Sequence, residues 1–380
     1  MLPLLTYLDS LLPTAKELEG WSCIYVQHIL RSNCDCADFL VARGLDKSKL
    51  RIFGKAYSTS NVALSFYLDQ SFNAQSIGVG YKYDAPFDNA LISSVREALD
   101  AMVAHGDTKI LLIDEGGLAL QAAATLNRAD VRFAVVELTA RGAHHYHLLE
   151  QHAPIVDVAR SSAKKRIEAP LIAKSMATLL ASRIHEATGK SLSSMRIGLI
   201  GAGAIGGALA DELQNIAAAI TTFDAVEERS TTKTITDALV GADIVTSSTG
   251  RGMDWSEMVR SLPVGTILAN CGSSDIEFQP WRLRATFAPQ GTFFVEDPGM
   301  PWRGNITIGT PGQTLTLLGG GFPVNFDGSP DPISAREIQL TRAILMAGAI
   351  QATASDKAGV TELDANVQAH IVARYEELIR

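Results

Sequence analysis

One stretch, residues 195–224, constrains the fold more than any other part of the chain. An apolar run ends in a Gly-x-Gly-x-x-Gly turn, a helical pattern follows at once, and a second apolar run ends at Asp224. Between a strand and a helix, the first glycine of this turn permits the bend, the second lets the backbone approach a pyrophosphate, and the third lets the helix pack on the strand. The turn residues that we expect to contact a dinucleotide are Gly201, Gly203, Ala204, Ile205 and Gly206.

The residue at the end of the second apolar run indicates which dinucleotide binds. A carboxylate about 20 residues after such a turn can accept both ribose hydroxyls. Asp224 stands there, and no Arg or Lys follows it directly, which favours NAD over NADP. The alternative is a glycine-rich turn in some other α/β protein, where Asp224 would have no ligand.

Composition and charge exclude several classes of protein. The chain has 380 residues, of which 47% are apolar and 19% charged, with a formal charge of −8. This profile is typical of a globular protein with two or three domains, and the acidic balance argues against nucleic acid or an anionic membrane as a partner. No apolar run reaches the length of about 18 residues that a membrane span requires.

Two further features bear on the compartment. The first residues lack a basic segment and carry Asp9 within their apolar run, so they make a poor signal peptide. The four cysteines have the spacing of neither a disulfide framework nor a zinc site. We therefore expect reduced cysteines and a cytoplasmic protein.

Strand-like and helical patterns alternate before residue 160, which predicts a parallel sheet covered on both faces. Residues 89–105 have a helical apolar period, and the runs 109–114 and 132–137 are strand-like. Ligands of such sheets bind at the carboxyl ends of the strands, so Asp114, Glu115 and Glu137 are expected on a binding edge. The alternative is that they are ordinary polar loop residues.

The predicted fold class is α/β, with two doubly wound parallel-sheet domains. The substrate domain comprises residues 1–170 and 341–380, and the Rossmann NAD-binding domain comprises residues 171–340. In the second half of the chain we expect strands near 242–250 and 266–272, an antiparallel pair over 305–318, and a helix over 332–352. Another helix, over 168–188, leads into the glycine turn.

The order and spacing of several segments resemble S-adenosylhomocysteine hydrolase, over about residues 23–352. These segments are Tyr57-Ser58-Thr59-Ser60-Asn61, Asp114-Glu115-Gly-Gly, Glu137-Leu-Thr139, Ser161 to Glu168 with Lys164, the Gly201 turn, Ser247-Ser248-Thr249-Gly250, Asn270-Cys-Gly272-Ser273-Ser-Asp275-Ile-Glu277, and Leu317 to Asn325.

The resemblance implies a chemistry in which tightly bound NAD oxidises a ribose hydroxyl, a thiol leaves, water adds and the ketone is reduced again. Such chemistry needs a base at the alcohol and a hydride acceptor beside it. Lys164 matches the family lysine at that alcohol, and Glu168 matches a family aspartate with one more methylene. Residues four apart share a helix face, although a solvated Lys/Glu pair would have the same spacing.

The resemblance also implies the roles of the remaining candidate residues. The catalytic candidates are Lys164, Glu168, Glu137, Glu115 and Asp331, and the substrate-binding candidates are His28, Ser58, Thr59 and Asp114. The cofactor-binding candidates beyond the glycine turn and Asp224 are Thr139, Ser248, Thr249, Gly250, Asn270, Gly272, Ser273 and Asn325.

Departures from the family pattern affect the elimination step and the adenine-reading element. A family histidine that assists catalysis is replaced by Ser273, and a second corresponds to Asp331 with a one-residue offset. Near the N-terminus, His28 is retained, but Ser32 stands where the family has a glutamate that reads adenine. The final helix has no counterpart of the family's C-terminal Lys/Tyr arm.

A histidine cluster raises the question of a metal. His144, His145, His147 and His152 lie close in sequence, and Glu150 could add a carboxylate. Their spacing matches no metal motif, so we expect no metal site.

Three functions stay open from the sequence. The first is an NAD-bound enzyme that oxidises a hydroxyl of a nucleoside or sugar-like molecule. The second is S-adenosylhomocysteine hydrolase itself, and the third is a catalytically silent relative that keeps NAD. The family resemblance further implies a homo-oligomer, either a dimer or a tetramer.

Overall fold

The computed structural model describes residues 1–12, 16–126, 128–256, 258–310 and 312–380. The chain forms two compact units. The first comprises Met1–Gly78, Asp88–Glu168 and Gly328–Arg380, and the second comprises Val79–Phe87 and Ala169–Asp327. Each unit is built on a seven-stranded sheet, so the α/β class with two doubly wound sheets is confirmed.

Strands and helices are numbered along the chain. The strands are β1 Ser22–Gln27, β2 Leu50–Lys55, β3 Asn73–Ile77, β4 Lys109–Asp114, β5 Arg132–Glu137, β6 Pro154–Asp157, β7 Arg196–Ile200, β8 Ala219–Phe223, β9 Ile244–Ser247, β10 Ile267–Asn270, β11 Phe293–Val295, β12 Ile306–Thr310, β13 Gln313–Leu317 and β14 Gly359–Glu362. The helices are α1 Pro3–Leu11, α2 Arg31–Ala42, α3 Asn61–Asp69, α4 Asp88–Ala104, α5 Leu118–Ala124, α6 Ala169–Thr188, α7 Ala204–Gln214, α8 Ile235–Leu239, α9 Pro280–Phe287, α10 Ala335–Ala354 and α11 Ala365–Ile379.

The sheet of the first unit has the order β14-β6-β5-β4-β1-β2-β3, and all its neighbouring strands pair in parallel. The chain order reverses between β1 and β4, which is the position where doubly wound sheets bind ligands. Successive residues of β1 point to opposite faces. Cys23 and Tyr25 pack in the core beneath α1, α2, α3, α10 and α11, and Ile24 and Val26 pack in the core beneath α4 and α5.

The sheet of the second unit has the order β11-β12-β13-β10-β9-β7-β8. Strand β12 runs antiparallel to β11 and β13, and the other pairs are parallel. The predicted antiparallel pair over 305–318 is therefore confirmed. Here the reversal lies at β7, because β8 pairs on one side of it and β9 on the other.

The unit boundaries differ from the predicted ranges by two residues at 168/169 and by more in two other places. Helix α10 is a continuous 20-residue helix, so a boundary at residue 340 would cut through it. The helix packs on β5 and β6 and belongs entirely to the first unit. Residues 79–87 belong to the second unit, where the Asp275 carboxylate accepts hydrogen bonds from Tyr81 Oη (2.6 Å) and Phe87 N (3.2 Å).

Within the described ranges, no helix combines the length and apolarity that crossing a bilayer requires. All four cysteines are buried as free thiols.

Candidate functional site

The carboxyl ends of four strands meet at one edge of the second sheet. Ile200 of β7 pairs with Phe223 of β8 and with Ser247 of β9, and Ser247 pairs with Asn270 of β10. The segments that follow these strands contain the glycine turn, Asp224, residues 248–250 and residues 271–273. Parallel pairing thus brings together most of the residues that the sequence predicts for the cofactor.

The three glycines of the turn occupy three different environments. Gly201 has a φ of +90°, and a Cβ on it would lie 2.7 Å from the backbone of Ser248. A Cβ on Gly206 would lie 1.9 Å from the Gly201 carbonyl oxygen. A Cβ on Gly203 would meet no described atom within 4 Å. Packing therefore requires the first and third glycines, whereas the second faces open space at the start of α7.

Asp224 is held in one orientation by backbone donors. Its Oδ2 accepts a hydrogen bond from Ala202 N at 2.7 Å, and its Oδ1 accepts one from Val226 N at 2.8 Å. Each carboxylate oxygen has a second lone pair, so the half-buried carboxylate can still accept ribose hydroxyls. The first of these hydrogen bonds ties Asp224 directly to the glycine turn.

Glu277 organises the loop after β9, and sequence reasoning gave it no role. This fully buried carboxylate accepts hydrogen bonds from Ser247 Oγ (2.7 Å), from both Thr249 N (3.0 Å) and Thr249 Oγ1 (2.8 Å), and from Gly250 N (2.7 Å). The predicted cofactor roles of Thr249 and Gly250 need correction, because Glu277 already accepts these donors. Ser248 N is likewise bonded to the Ile200 carbonyl.

Asn270 also has a structural role. Its Nδ2 donates to the carbonyl oxygens of Ser274 (2.6 Å) and Gly321 (2.8 Å), and its Oδ1 accepts from Gly272 N (2.8 Å). Because the side chain is fully buried and these hydrogen bonds are made within the protein, they give no support to its predicted contact with the cofactor. Ser273, which follows, is partly exposed.

Asn325 differs from Asn270 in having an oxygen without a donor. Its side chain is buried, and no donor in the described part of the chain reaches Oδ1. Val324 N donates to the Asn270 carbonyl at 3.0 Å, which places this asparagine beside the end of β10. A buried amide oxygen that lacks a donor is costly, so it indicates a place for a ligand N–H.

The carboxyl edge of the first sheet carries a row of buried carboxylates. Asp114 pairs with Glu137, and Glu137 pairs with Asp157 across β4, β5 and β6. The strand register places Asp114 and Glu137 at the carboxyl edge of the sheet, where the sequence predicts them. Asp157, the third member of the row, had no predicted role.

The carboxylates of Asp114 and Glu137 are occupied by backbone donors. Asp114 accepts from the backbone N atoms of Glu115 (2.9 Å), Leu118 (3.1 Å) and Leu120 (2.8 Å), which caps α5. Glu137 accepts from the N atoms of Gly116 and Gly117 at 3.1 and 2.9 Å. Burial, together with the charge of Asp114, raises the pKa of Glu137 to about 8, and burial also raises the pKa of Asp114. The substrate role predicted for Asp114 and the catalytic role predicted for Glu137 are thus replaced by roles in holding loops.

Thr139 belongs to the first unit, and its hydroxyl is already bonded there. Its Oγ1 donates to Glu137 Oε1 at 2.7 Å and accepts a hydrogen bond from Gly142 N at 3.0 Å. These contacts give no support to its predicted contact with the cofactor.

His28 and Glu115 form a buried polar cluster with Ser58. The backbone N of His28 donates to Glu115 Oε2 at 2.8 Å, and Nδ1 of the His28 ring lies 2.5 Å from Ser58 Oγ. Burial lowers the pKa of His28 to about 3, so the imidazole is neutral at physiological pH. Burial alone would raise the pKa of Glu115, but the charges of Lys55 and Arg342 and the hydrogen bond from His28 N hold it below its usual range. The structure thus brings the predicted substrate residues His28 and Ser58 together.

Lys55 is a member of this cluster that sequence reasoning missed. It is fully buried, and its Nζ donates to the Glu115 carbonyl oxygen at 2.7 Å. The Lys55 carbonyl oxygen accepts from Thr59 Oγ1 at 2.9 Å, so the hydroxyl of Thr59, a predicted substrate residue, is bonded to the backbone. From the sequence alone, a buried lysine at the end of a strand cannot be distinguished from one that is exposed to solvent.

Lys164 and Glu168 lie on a π-helical turn, Lys164–Glu168, directly before α6. Lys164 Nζ donates to the Leu138 carbonyl oxygen at 2.8 Å and lies 2.8 Å from Glu168 Oε2. Glu168 Oε2 lacks hydrogen-bond geometry, so the second contact is an ion pair. The side chains of Lys164 and Glu168 are 15% and 7% exposed, so they are not a solvated pair on a helix surface. Turns of π-helix occur frequently at functional sites.

Asp331 caps α2. Its Oδ1 accepts a hydrogen bond from Ser32 N at 3.0 Å, and the preceding Pro330 carbonyl oxygen accepts one from Arg31 N at 2.9 Å. The residue that corresponds to a family histidine therefore satisfies a helix N-terminus, which corrects its predicted catalytic role. Ser32 Oγ in turn accepts from Arg342 Nε and Nη2, both at 3.3 Å.

The histidine cluster around residue 145 lies in the 3₁₀ segment Gly142–Leu148 and the turn that follows it. Among the residues whose positions are described, no three His, Cys, Asp or Glu side chains form a group that could hold a metal ion.

No family model matches the chain. Two curated proteins of Mycobacterium tuberculosis are similar to it, uncharacterized protein Rv0104 of strain H37Rv and uncharacterized protein MT0113 of strain CDC 1551. Each is 28% identical over 342 residues, which is 89% of this chain and 65% of the relative. The chain thus spans about 65% of the length of these relatives.

Among solved structures, the similar ones include dehydrogenases and a reductase. The NAD-dependent formate dehydrogenase of Staphylococcus aureus, in complex with NAD, is 11% identical over 58% of this chain and 69% of its own, with a TM-score of 0.32. The NAD⁺-bound 3-phosphoglycerate dehydrogenase of Entamoeba histolytica is 12% identical over 70% and 76%, with a TM-score of 0.37. The pyruvate reductase of Chlamydomonas reinhardtii is 14% identical over 89% and 98%, with a TM-score of 0.38.

Proposed function

We propose that this protein is an NAD-dependent oxidoreductase in which the second unit binds NAD and the first unit binds the substrate. The observation that carries this proposal is the open space at Gly203, between two glycines that packing requires, at the strand edge where the sheet order reverses. A phosphate group fits there, because the backbone N–H groups at the start of α7 and the positive end of its dipole favour an anion.

Other residues of the second unit fit the remaining parts of NAD. The oriented carboxylate of Asp224 keeps lone pairs for the ribose hydroxyls. Asn325 Oδ1 can accept the N–H of a carboxamide, which would satisfy an oxygen that lacks a described donor. When bound, NAD supplies a hydride acceptor for an alcohol carbon.

In the first unit, Lys164 is the proposed base for the substrate hydroxyl. Leu138 O and Glu168 Oε2, each 2.8 Å from Nζ, orient the side chain and restrict its motion. To act as the base, Lys164 would first pass an ammonium proton to Glu168, and the neutral amine would then take the proton of the substrate hydroxyl. A positioned base raises the rate of proton removal from an alcohol by about 10²–10⁴-fold. His28 is neutral, so its ring can accept or donate a hydrogen bond to a substrate without adding charge.

The finer proposal is that the substrate is a nucleoside or a sugar-like molecule, as the resemblance to S-adenosylhomocysteine hydrolase suggests. Ser273 replaces an assisting histidine and cannot act as an acid near pH 7, so we propose that any elimination step is slow relative to oxidation. Ser32 replaces the adenine-reading glutamate, so S-adenosylhomocysteine is expected to be a poor substrate or none.

A second candidate function is that of a catalytically silent protein that binds NAD. The contacts of Asp114, Glu137 and Asp331 favour it, because these carboxylates hold backbone N–H groups and are not presented to a substrate. The base Lys164 and its partner Glu168 favour the enzyme, since a buried ion pair on a π-helical turn is costly to keep without a use.

One experiment separates these proposals. The mass of any ligand that co-purifies is measured, NAD affinity is titrated, and NADH absorbance is followed on adding nucleosides and sugars. Gly203→Ala is expected to fold normally and bind NAD at least tenfold more weakly, because a methyl group enters the phosphate space. Asp224→Ala should lower NAD affinity as well. Unchanged affinity in both variants refutes the cofactor proposal, and NAD binding without NADH formation from any compound favours the silent protein.

A further inference from the structure

Arg342, on helix α10, is a buried arginine whose guanidinium has one hydroxyl oxygen as its only hydrogen-bond acceptor among the described residues. The residue is 5% exposed. Its Nε and Nη2 both contact the same neutral oxygen, Ser32 Oγ, at 3.3 Å. A guanidinium carries five N–H donors, and one hydroxyl oxygen cannot satisfy them.

Arg342 also lacks a carboxylate in direct contact within the described chain. Among the residues that the structure describes, no carboxylate lies within 4.0 Å of its guanidinium nitrogens. Two other arginines of the same unit have carboxylate partners: the buried Arg43 pairs with Asp9 and Glu17, and the half-buried Arg141 pairs with Asp88. A buried charge without a partner is expensive, so a fold keeps one mainly where a ligand supplies the opposite charge.

The carboxylates of Glu115 and Asp331 lie near Arg342, but neither is within 4.0 Å of its guanidinium nitrogens. The carboxylate of Asp331 is committed to the Ser32 backbone N at the start of α2. Glu115 has the cations Lys55 and Arg342 near it, and both depress its pKa. Lys55 is itself fully buried, with a backbone carbonyl as its partner. This part of the first unit therefore holds two buried cations.

Ser32 can contribute a donor of its own. Its Oγ accepts from the guanidinium, so its hydroxyl proton is directed elsewhere and can be donated to an anion. Ser32 is buried beside Arg342, although 310 positions separate the two in the sequence. Two donors of fixed geometry, one of them a planar fork, are suited to the oxygens of a carboxylate or a phosphate.

We propose that Arg342 and Ser32 form a binding site for the anionic group, a carboxylate or a phosphate, of this protein's substrate. That the bound anion belongs to a substrate rests on the proposed function, whereas anion binding itself does not. It extends that function by naming the substrate class, a hydroxyl compound that carries an acidic group. A neutral nucleoside leaves the guanidinium unpaired and is therefore a poor substrate.

The first experiment compares stability with and without an anion. Thermal unfolding midpoints of the parent and of Arg342→Met are measured in a buffer without oxyanions, and then with increasing inorganic phosphate or acetate at constant ionic strength. Without the anions, Arg342→Met should unfold at the same or a higher temperature, because an uncompensated charge has been removed. The parent midpoint should rise with the anion and saturate, whereas the variant midpoint should not follow it.

A purely structural arginine gives the opposite pattern. If Arg342→Met unfolds at a lower temperature in the absence of anions, or does not fold, Arg342 is part of the scaffold and the proposal is wrong. It is also wrong if phosphate and acetate raise both midpoints equally, or raise neither. Arg336→Gln is the control, because Arg336 is exposed on the same helix and contacts the Leu378 carbonyl oxygen.

The second experiment measures affinity by calorimetry on the full chain without NAD. Arg342→Lys keeps the charge but loses the fork, so it should bind the preferred anion roughly 10- to 100-fold more weakly than the parent. Phosphate and acetate form separate arms, and the tighter one identifies the acidic group. Equal affinities of the parent and Arg342→Lys for both anions would count against the site.

The two proposals fail in distinguishable ways. If the anion binds through Arg342 but no acidic hydroxyl compound reduces NAD, anion recognition stands and the oxidoreductase proposal falls. If neutral nucleosides form NADH at rates that Arg342→Lys leaves unchanged, the oxidoreductase stands and the anion site falls.

Discussion

The two sheet edges, each proposed to bind a ligand, are built by opposite means. At the edge of the second sheet, the important feature is the absence of a side chain: Gly203 leaves room, and Asp224 and Glu277 hold the loops around it with backbone hydrogen bonds. At the edge of the first sheet, ionisable groups such as Lys55 and Glu137 are buried, His28 is half-buried, and several pKa values are displaced.

This difference separates two tasks that one architecture can perform. Binding a cofactor requires a surface of matching shape and a few fixed hydrogen-bond acceptors, which backbone geometry provides. Substrate selection and proton transfer need charged groups with altered properties, which only burial and neighbouring charges provide. The comparison predicts that substitutions at the first edge act on chemistry and pH dependence, and that substitutions at the second edge act on cofactor binding and local stability.

The largest effect is expected from Lys164→Ala. Loss of the proposed base should lower the rate of NADH formation by about 10²–10⁴-fold while NAD binding is retained. Single-turnover kinetics and an NAD titration measure the two quantities. Lys165→Ala is the matched control, because Lys165 is the exposed neighbour on the same turn. NADH formation at the parental rate in Lys164→Ala would remove this lysine from the mechanism.

Glu277→Gln tests whether a carboxylate maintains the second edge. A glutamine has the same shape, but its NH₂ group would face donors such as Thr249 N and Gly250 N. We expect a loss of about 2–4 kcal/mol in the free energy of unfolding, and weaker NAD binding. Urea denaturation of Glu277→Gln and of the exposed control Glu228→Gln provides the comparison. Equal stability of the two variants would contradict the role assigned to Glu277.

Neighbouring glycines of α7 offer a sharper comparison within one edge. Gly206→Ala places a Cβ 1.9 Å from the Gly201 carbonyl oxygen, whereas the nearest described atom to a Cβ on Gly207 is 3.5 Å away. We expect Gly206→Ala to lower stability by roughly 1–3 kcal/mol and to weaken NAD binding. Gly207→Ala should be neutral or stabilise by up to about 1 kcal/mol, since alanine favours a helix. Similar unfolding midpoints for the two variants would show that the turn is not packed as described.

The smallest effect concerns His28 and pH. Burial lowers its pKa from 6.5 to about 3, so between these values the unfolded chain binds a proton that the folded chain does not. Stability therefore falls as the pH is lowered through this window. His28→Gln should reduce the loss between pH 6.5 and 5 by about 1–2 kcal/mol. Urea denaturation at both pH values measures it, with the exposed His105→Gln as control. An unchanged pH dependence in His28→Gln would mean that His28 is not buried in its neutral form.

Much of the fold could be predicted from local patterns. The runs 109–114 and 132–137 are strands with those bounds, and the helical period over 89–105 corresponds to α4. Boundaries were less accurate where the pattern was interrupted. The helix predicted from residue 168 begins at Ala169, after a π-helical turn.

By itself, the sequence determined the secondary-structure periods, the glycine turn and the acidic residue that follows it, because these depend on backbone geometry within a few residues. It could not decide which polar side chains face a ligand. The partners of Glu137 and Glu277 come from loops that strand pairing brings together, 20 to 30 residues away. The contact between Arg342 and Ser32 spans 310 positions. Whether a charge is satisfied depends on every group that packs around it, and only the tertiary structure determines those neighbours.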